Sequence, residues 1–203
     1  MSTLLLHLNA EALPETISWD RPLSDDEFEA LCLENDGVQL ERTKEGEIIM
    51  TPLTGDDTGR ANAEITRQLG NWWHTHERGA VYDSSTGFFL PDGSNLSPDA
   101  AYVLPENLGP REGRGRKMAH HCPNFVIELL SGFDRLRKAE AKMDGWIANG
   151  AALGWLIDPY GRQVTVYAAN QAPRTVSEES IEGSGPVHGF TLNLAKVWRF
   201  YET

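Results

Sequence analysis

The run Phe125-Val126-Ile127-Glu128-Leu129-Leu130 constrains this chain more than any other stretch. It is short, continuously apolar and β-prone, the pattern of a central strand covered on both faces. Glu128 sits in its middle. A carboxylate in such a strand is costly unless it is paired or bound to a metal, so chemistry is expected there. Two more ionisable groups interrupt buried-looking segments nearby. Asp99 opens a strand after Ser97-Pro98, and Lys142 rides the helix expected after Glu128. A second apolar run, Gly154-Trp155-Leu156-Ile157-Asp158-Pro159, closes the region.

The flanking sequence supplies the remaining elements. Ser24-Asp25-Asp26-Glu27 has capping-box form and predicts a helix to about residue 35. Strands are expected at 38–42 and 47–50, joined near Glu45-Gly46. Ala61, Ile65, Leu69 and Trp72 or Trp73 recur at helical spacing over 59–77, and Gly79 ends that helix. Strands are expected at 80–84 and 86–90, followed by a Pro91-Asp92-Gly93 turn and a second arm that Asp99 enters. A helix over 133–149 stops at Gly150, and a strand pair spans 153–157 and 164–167. Peripheral strands and a short helix with Trp198 finish the chain. A length of 203 residues suits one core, and no repeat or linker divides it. The expectation is a single α/β (α+β) domain over 1–203, with 1–23 as a peripheral N-terminal segment.

Charge narrows the function. The net charge of -12, from 18 basic and 30 acidic residues, argues against tight indiscriminate binding to phosphate backbones. It leaves phosphodiester chemistry open, because bound divalent cations reverse the field within one cleft. Cys32 and Cys122 offer neither a disulfide framework nor zinc-ligand spacing, as in a reducing cytoplasm. The Leu-Leu-Leu run near the start has no basic flank and is too short for a signal or membrane span. A cytoplasmic protein without a membrane segment is expected.

Asp99 and Glu128 on adjacent strands suit a hard cation such as Mg²⁺; alternatively Asp99 caps a turn and Glu128 pairs with an arginine. Lys142 could act near that cation, or lie on a solvated helix face. Lys138, one turn earlier, is an equally available ammonium.

Taken together, Gly46-Glu47-Ile48-Ile49-Met50-Thr51-Pro52, Ser97-Pro98-Asp99, Val126-Ile127-Glu128-Leu129-Leu130-Ser131 and the path from Lys142 to Trp155-Leu156-Ile157-Asp158-Pro159 resemble the Uma-type restriction endonuclease family. That family belongs to the PD-(D/E)XK nuclease superfamily. The resemblance implies a restriction-endonuclease-like core, a mixed central β-sheet flanked by helices with divalent metal at its edge. Asp99 would match the PD element and Glu128 the (D/E) carboxylate. Leu130 stands where the superfamily pattern places lysine, and Lys142 on the next helix holds the compensating position. Glu64 resembles a helical glutamate that supplies a further metal ligand, although an exposed helical Glu is the equal alternative.

The implied activity is a Mg²⁺- or Mn²⁺-dependent endonuclease acting on DNA phosphodiester bonds, with Asp99, Glu128 and Glu64 on metal and Lys142 on water or phosphate. The alternative is a catalytically weak or inactive nuclease-fold module for binding or assembly. Asp83 ranks lower as a site residue, because Asp before Ser-Ser is ordinary turn chemistry. Ser131 and Asp134 suit a helix cap. Arg111, Arg114, Arg116 and Lys117 make the one basic cluster, a locally basic DNA contact or a solvated loop. His74, His76, His120 and His121 lack a second ligand pair, so zinc is rejected. Apolar segments around Trp72, Trp73 and Trp198-Arg199-Phe200 could make a homodimer.

Overall fold

Ser24 begins the first helix as its sequence requires. Its hydroxyl accepts from the Glu27 N–H, and the Glu27 carboxylate accepts from the Ser24 N–H. Helix α1 (Asp25–Glu34) follows. The structure, a computed structural model, describes residues 16–17, 21–35, 38–51, 53–109, 118–132 and 136–202. The basic cluster Arg111, Arg114, Arg116 and Lys117 lies outside the described residues, as does Asp134.

The strands are β1 (Thr16–Ile17), β2 (Gln39–Arg42), β3 (Ile48–Thr51), β4 (Ala80–Asp83), β5 (Phe88–Phe89), β6 (Asn95–Leu96), β7 (Ala100–Val103), β8 (Phe125–Leu129), β9 (Leu153–Asp158), β10 (Gln163–Ala168), β11 (Arg174–Val176), β12 (Ser180–Glu182) and β13 (Thr191–Asn193). Helices α2 (Asp56–His74), α3 (Leu136–Ala148) and α4 (Ala195–Trp198) complete the chain. The strands form a sheet ordered β11-β10-β9-β8-β7-β4, a second ordered β1-β3-β2-β6-β5, and a ribbon of β12 and β13. The six-stranded sheet is mixed: β8 and β9 run parallel, while β7 and β8 run antiparallel. Helix α3 is the crossover that a parallel pair requires.

Every residue of β8 is buried, as its unbroken apolar run implies. Phe125, Ile127 and Leu129 pack with Ala61, Ile65 and Leu69 of α2 and with Phe190, Val197 and Trp198. Val126 and Leu130 face the other way, onto Met143 and Trp146 of α3. Helices therefore cover both faces of the central sheet.

The strands expected at 80–84 and 86–90 enter different sheets. Strand β4 pairs with β7 in the six-stranded sheet, whereas β5 pairs with β6 in the other. The chain passes back between sheets at Ser97-Pro98-Asp99, where Pro98 has no N–H for either ladder. Leu40 belongs to the core under α1 with Phe28, Leu31, Ile48 and Phe89, and the Arg42 guanidinium lies over the Phe28 and Phe89 rings. Glu41, between them in β2, points the opposite way by strand alternation.

The aromatic residues considered for a dimer surface are used within the chain. Trp72 meets the rings of Tyr102 and Phe190, the Trp73 indole N–H donates to the Gly79 carbonyl, and Trp198 is buried. Gly79 joins α2 to β4 with φ of 72°. A Cβ there would collide with the Val103 carbonyl oxygen and crowd the Tyr102 hydroxyl. Gly79→Ala is therefore expected to lower stability by about 2 kcal/mol, from left-handed backbone plus steric conflict. The midpoint of urea unfolding checks this, and an unchanged midpoint would refute it. Among the described residues no helix is long and apolar enough to cross a membrane.

Candidate active site

Antiparallel pairing of β7 and β8 sets Ala100 opposite Ile127 and Ala101 opposite Val126. Continued by one residue, the same register sets Asp99 opposite Glu128. Asp99 and Glu128, distant in sequence, are thus brought to neighbouring strands at the point where the chain changes sheets.

Both carboxylates are firmly held. Asp99 accepts from the Leu129 backbone N–H at 2.7 Å through Oδ2 and from Asn62 Nδ2 at 2.6 Å through Oδ1. Glu128 is 8% exposed, and its Oε1 accepts from the Trp146 indole N–H at 2.8 Å. Lys142 Nζ lies 3.1 Å from Glu128 Oε1 and 3.2 Å from Oε2. Trp146 and Lys142 are four apart on α3, so one helix face delivers both to Glu128. The same ammonium donates to the Ser97 carbonyl at 2.8 Å and pairs with Glu41 Oε1 at 2.9 Å. Lys138, one turn back, is exposed; Lys142 is the lysine that reaches the two strands.

The electrostatics follow from that packing. Burial pushes the Glu128 carboxyl up to about 8; Lys142 opposes the rise, while Asp99 and Glu41 add to it. Burial alone would lower Lys142, but the carboxylates of Glu128, Glu41 and Asp99 outweigh it and hold the ammonium well above its ordinary value. Three carboxyl groups, of Asp99, Glu128 and Glu41, thus gather around one ammonium.

Other expected residues go elsewhere. Glu64 is buried on α2, but its carboxylate is taken by the Arg67 guanidinium at 2.9 and 2.6 Å and by Gln68 Nε2 at 3.0 Å. Arg67 holds Glu64 below the usual carboxylate range, against the effect of burial. Residues two apart on a helix face different directions, so Asn62, not Glu64, meets Asp99. Asp83 accepts from the Ser85 N–H at 3.1 Å and the Ser85 hydroxyl at 2.6 Å, which is turn chemistry. Reading the sequence missed Glu41, Asn62 and Trp146 as neighbours of the site.

Among the described residues no three His, Cys, Asp or Glu side chains close into a ready-made metal cage. Asp99 and Glu128 nevertheless fit Mg²⁺ or Mn²⁺. Mg²⁺ is commonly held by one or two carboxylates plus waters and substrate phosphates, and a cation would relieve the repulsion that Asp99 exerts on Glu128. Past the C-terminal end of β8 lies a hollow of about 170 Å³ lined by Gly55, Asp56, Asp57, Thr58, Ser131, Gly132 and Tyr160.

The family model of Uma2, described as "Putative restriction endonuclease", matches residues 25–195. The chain belongs to the Uma2 family. Among solved structures it is similar to one titled a "putative nuclease belonging to DUF820" from Anabaena variabilis, with 22% identity and a TM-score of 0.73. The match covers 88% of this chain and 99% of that one, and at this identity it shows a shared fold. No curated protein matches. Uma2 membership places this chain in a family described as a "Putative restriction endonuclease", and its own central sheet is mixed and flanked by helices.

Proposed function

We propose that this Uma2 chain is a divalent-cation-dependent endonuclease that hydrolyses DNA phosphodiester bonds. One observation carries the reading: Asp99 accepts from the backbone N–H of Leu129, next to Glu128, and Lys142 closes on Glu128 from the next helix. The conventional superfamily lysine position is filled by Leu130, yet an ammonium stands beside the second carboxylate.

Asp99 and Glu128 would hold Mg²⁺ or Mn²⁺, which supplies charge neutralisation and a more acidic water. Hydrogen bonds from Asn62, Leu129 and Trp146 fix both carboxylates before substrate arrives, so little reorganisation is needed during reaction. Lys142 is 23% exposed along its side chain, whereas Glu128 is 10% exposed. The ammonium now serves Glu128, Glu41 and the Ser97 carbonyl, and would donate to a scissile phosphate by giving up one of these three partners. Glu64, tied to Arg67, is assigned no chemical step.

Plasmid nicking with Mg²⁺, Mn²⁺ or EDTA tests the proposal. Wild type is expected to nick only with metal, and Asp99→Ala and Glu128→Ala are each expected to lose activity by about 10²-fold or more. Absence of metal-dependent nicking, or activity indifferent to both changes, would overturn it. The second reading, a binding or assembly module on a nuclease fold, is favoured by the net charge of -12 and by the engagement of Lys142 with two carboxylates. It predicts no metal-dependent cleavage.

A further inference from the structure

Glu41 belongs to β2 of the five-stranded sheet, while Asp99 and Glu128 belong to the six-stranded one. It is 6% exposed, and its Oε1 accepts from the Ser97 N–H at 2.8 Å and from Lys142 Nζ at 2.9 Å. The Ser97 carbonyl in turn accepts from Lys142 at 2.8 Å. One carboxylate oxygen therefore holds both the peptide that leads into Asp99 and the ammonium that faces Glu128. A buried carboxylate that served only the Ser97 N–H would not need the lysine; a polar amide would suffice there.

We propose that Glu41 is a positioning residue of the active site, contributed by the N-terminal sheet, that aims Lys142 at Glu128 and at substrate. This rests on the nuclease reading for its catalytic consequence, but the placement of the ammonium is separately measurable. With Glu41 and Glu128 on two sides of Nζ, the ammonium has a defined place between the sheets. Without the Glu41 charge it keeps Glu128 and the Ser97 carbonyl but loses its second anionic anchor. The long, flexible lysine stem then allows other rotamers. Displacement of a catalytic group by about 1 Å can cost about 10²-fold in rate.

Glu41→Gln removes the charge yet retains an oxygen for the Ser97 N–H, and Glu41→Asp keeps the charge on a shorter stem. Three measurements are made on the full chain: nicking kinetics, Mn²⁺ affinity by calorimetry, and ¹H–¹⁵N spectra of the Lys142 ammonium without metal. Glu41→Gln is expected to lower kcat by about 10–10²-fold, with KM and Mn²⁺ affinity within about threefold of wild type and with a broadened Lys142 signal. Glu41→Asp is expected to recover part of kcat and part of the signal. An unchanged Lys142 signal and kcat in folded Glu41→Gln would overturn the proposal. So would a loss of Mn²⁺ affinity of about tenfold, which would make Glu41 a metal ligand, or failure of both variants to fold. If wild type does not nick DNA, the nuclease reading fails while the ammonium spectra still decide where Glu41 holds Lys142.

Discussion

Lys142→Met is expected to lower the stability of the metal-free protein by about 3 kcal/mol at about pH 9, with a smaller loss at about pH 6. The magnitude is set at the low end for a broken buried pair because the Lys142 side chain is 23% exposed. The pH dependence comes from Glu128. Its carboxyl is pushed up to about 8 with the ammonium present, and loses its main opposing influence when the ammonium is removed. Below about 8 both proteins carry a protonated Glu128, so the change costs less. Above about 8, wild type ionises Glu128 against Lys142, whereas the variant must either keep the proton or bury an uncompensated charge. Saturating Mn²⁺ should return more of the melting temperature to Lys142→Met than it adds to wild type, since the cation replaces the lost positive charge. Calorimetric scans at both pH values, with Mn²⁺ or EDTA, check these outcomes. Equal stability of the two proteins at both pH values would show that the ammonium does not neutralise this cluster. Nicking by the variant should fall by about 10²-fold.

The legible part of this protein was the part where one residue violates its surroundings. Glu128 stood out because β8 is otherwise apolar, and β8 is buried on both faces as that pattern requires. The capping box of α1 and the apolar stripe of α2 were equally local and formed as written. Long-range register was not available from periodicity. That Asp99 faces Glu128 depends on the pairing of two strands separated by a long loop, and motif resemblance, not spacing, pointed to it. Glu41 was hidden for a related reason. Leu40 claims the core face of β2, and by alternation Glu41 then reads as solvent-facing. Arg42 is 3% exposed, set over two aromatic rings and donating to the Leu23 and Gly93 carbonyls.

Glu64 shows the converse. Its place beside Ile65 sets it on the buried edge of α2, and it is 8% exposed. The edge it occupies faces Arg67 and Gln68, which bridges to the Asn193 backbone. Amphipathic phase tells which side of a helix is buried, but not which neighbour it meets. The placing of β4 and β5 in separate sheets has the same origin: each looks like a strand, and only tertiary packing chooses its partner.

Glu128→Gln should separate function from stability in the opposite direction to Lys142→Met. The amide oxygen can still accept from the Trp146 indole N–H, and Lys142 retains Glu41 and the Ser97 carbonyl. Metal-dependent nicking should nevertheless fall by about 10³-fold, because neither cation binding nor the charge beside Lys142 survives. Stability should hold or rise. A carboxyl whose folded pKa is raised to about 8 from an ordinary 4.5 contributes stability in full below about 4.5 and loses it as pH climbs to about 8. Gln has no proton to lose, so its advantage over wild type should grow across that window and level off above it. At neutral pH a gain of about 1 kcal/mol would raise the melting temperature by roughly 2–4 °C in a domain of this size. Melting curves between about pH 5 and about pH 9, read beside the nicking assay, test both halves. A variant that loses activity and several kcal/mol together would reduce Glu128 to a buried structural ion-pair partner. Loss of cleavage with undiminished stability would identify a strand that tolerates an unfavourable carboxylate for the sake of its chemistry.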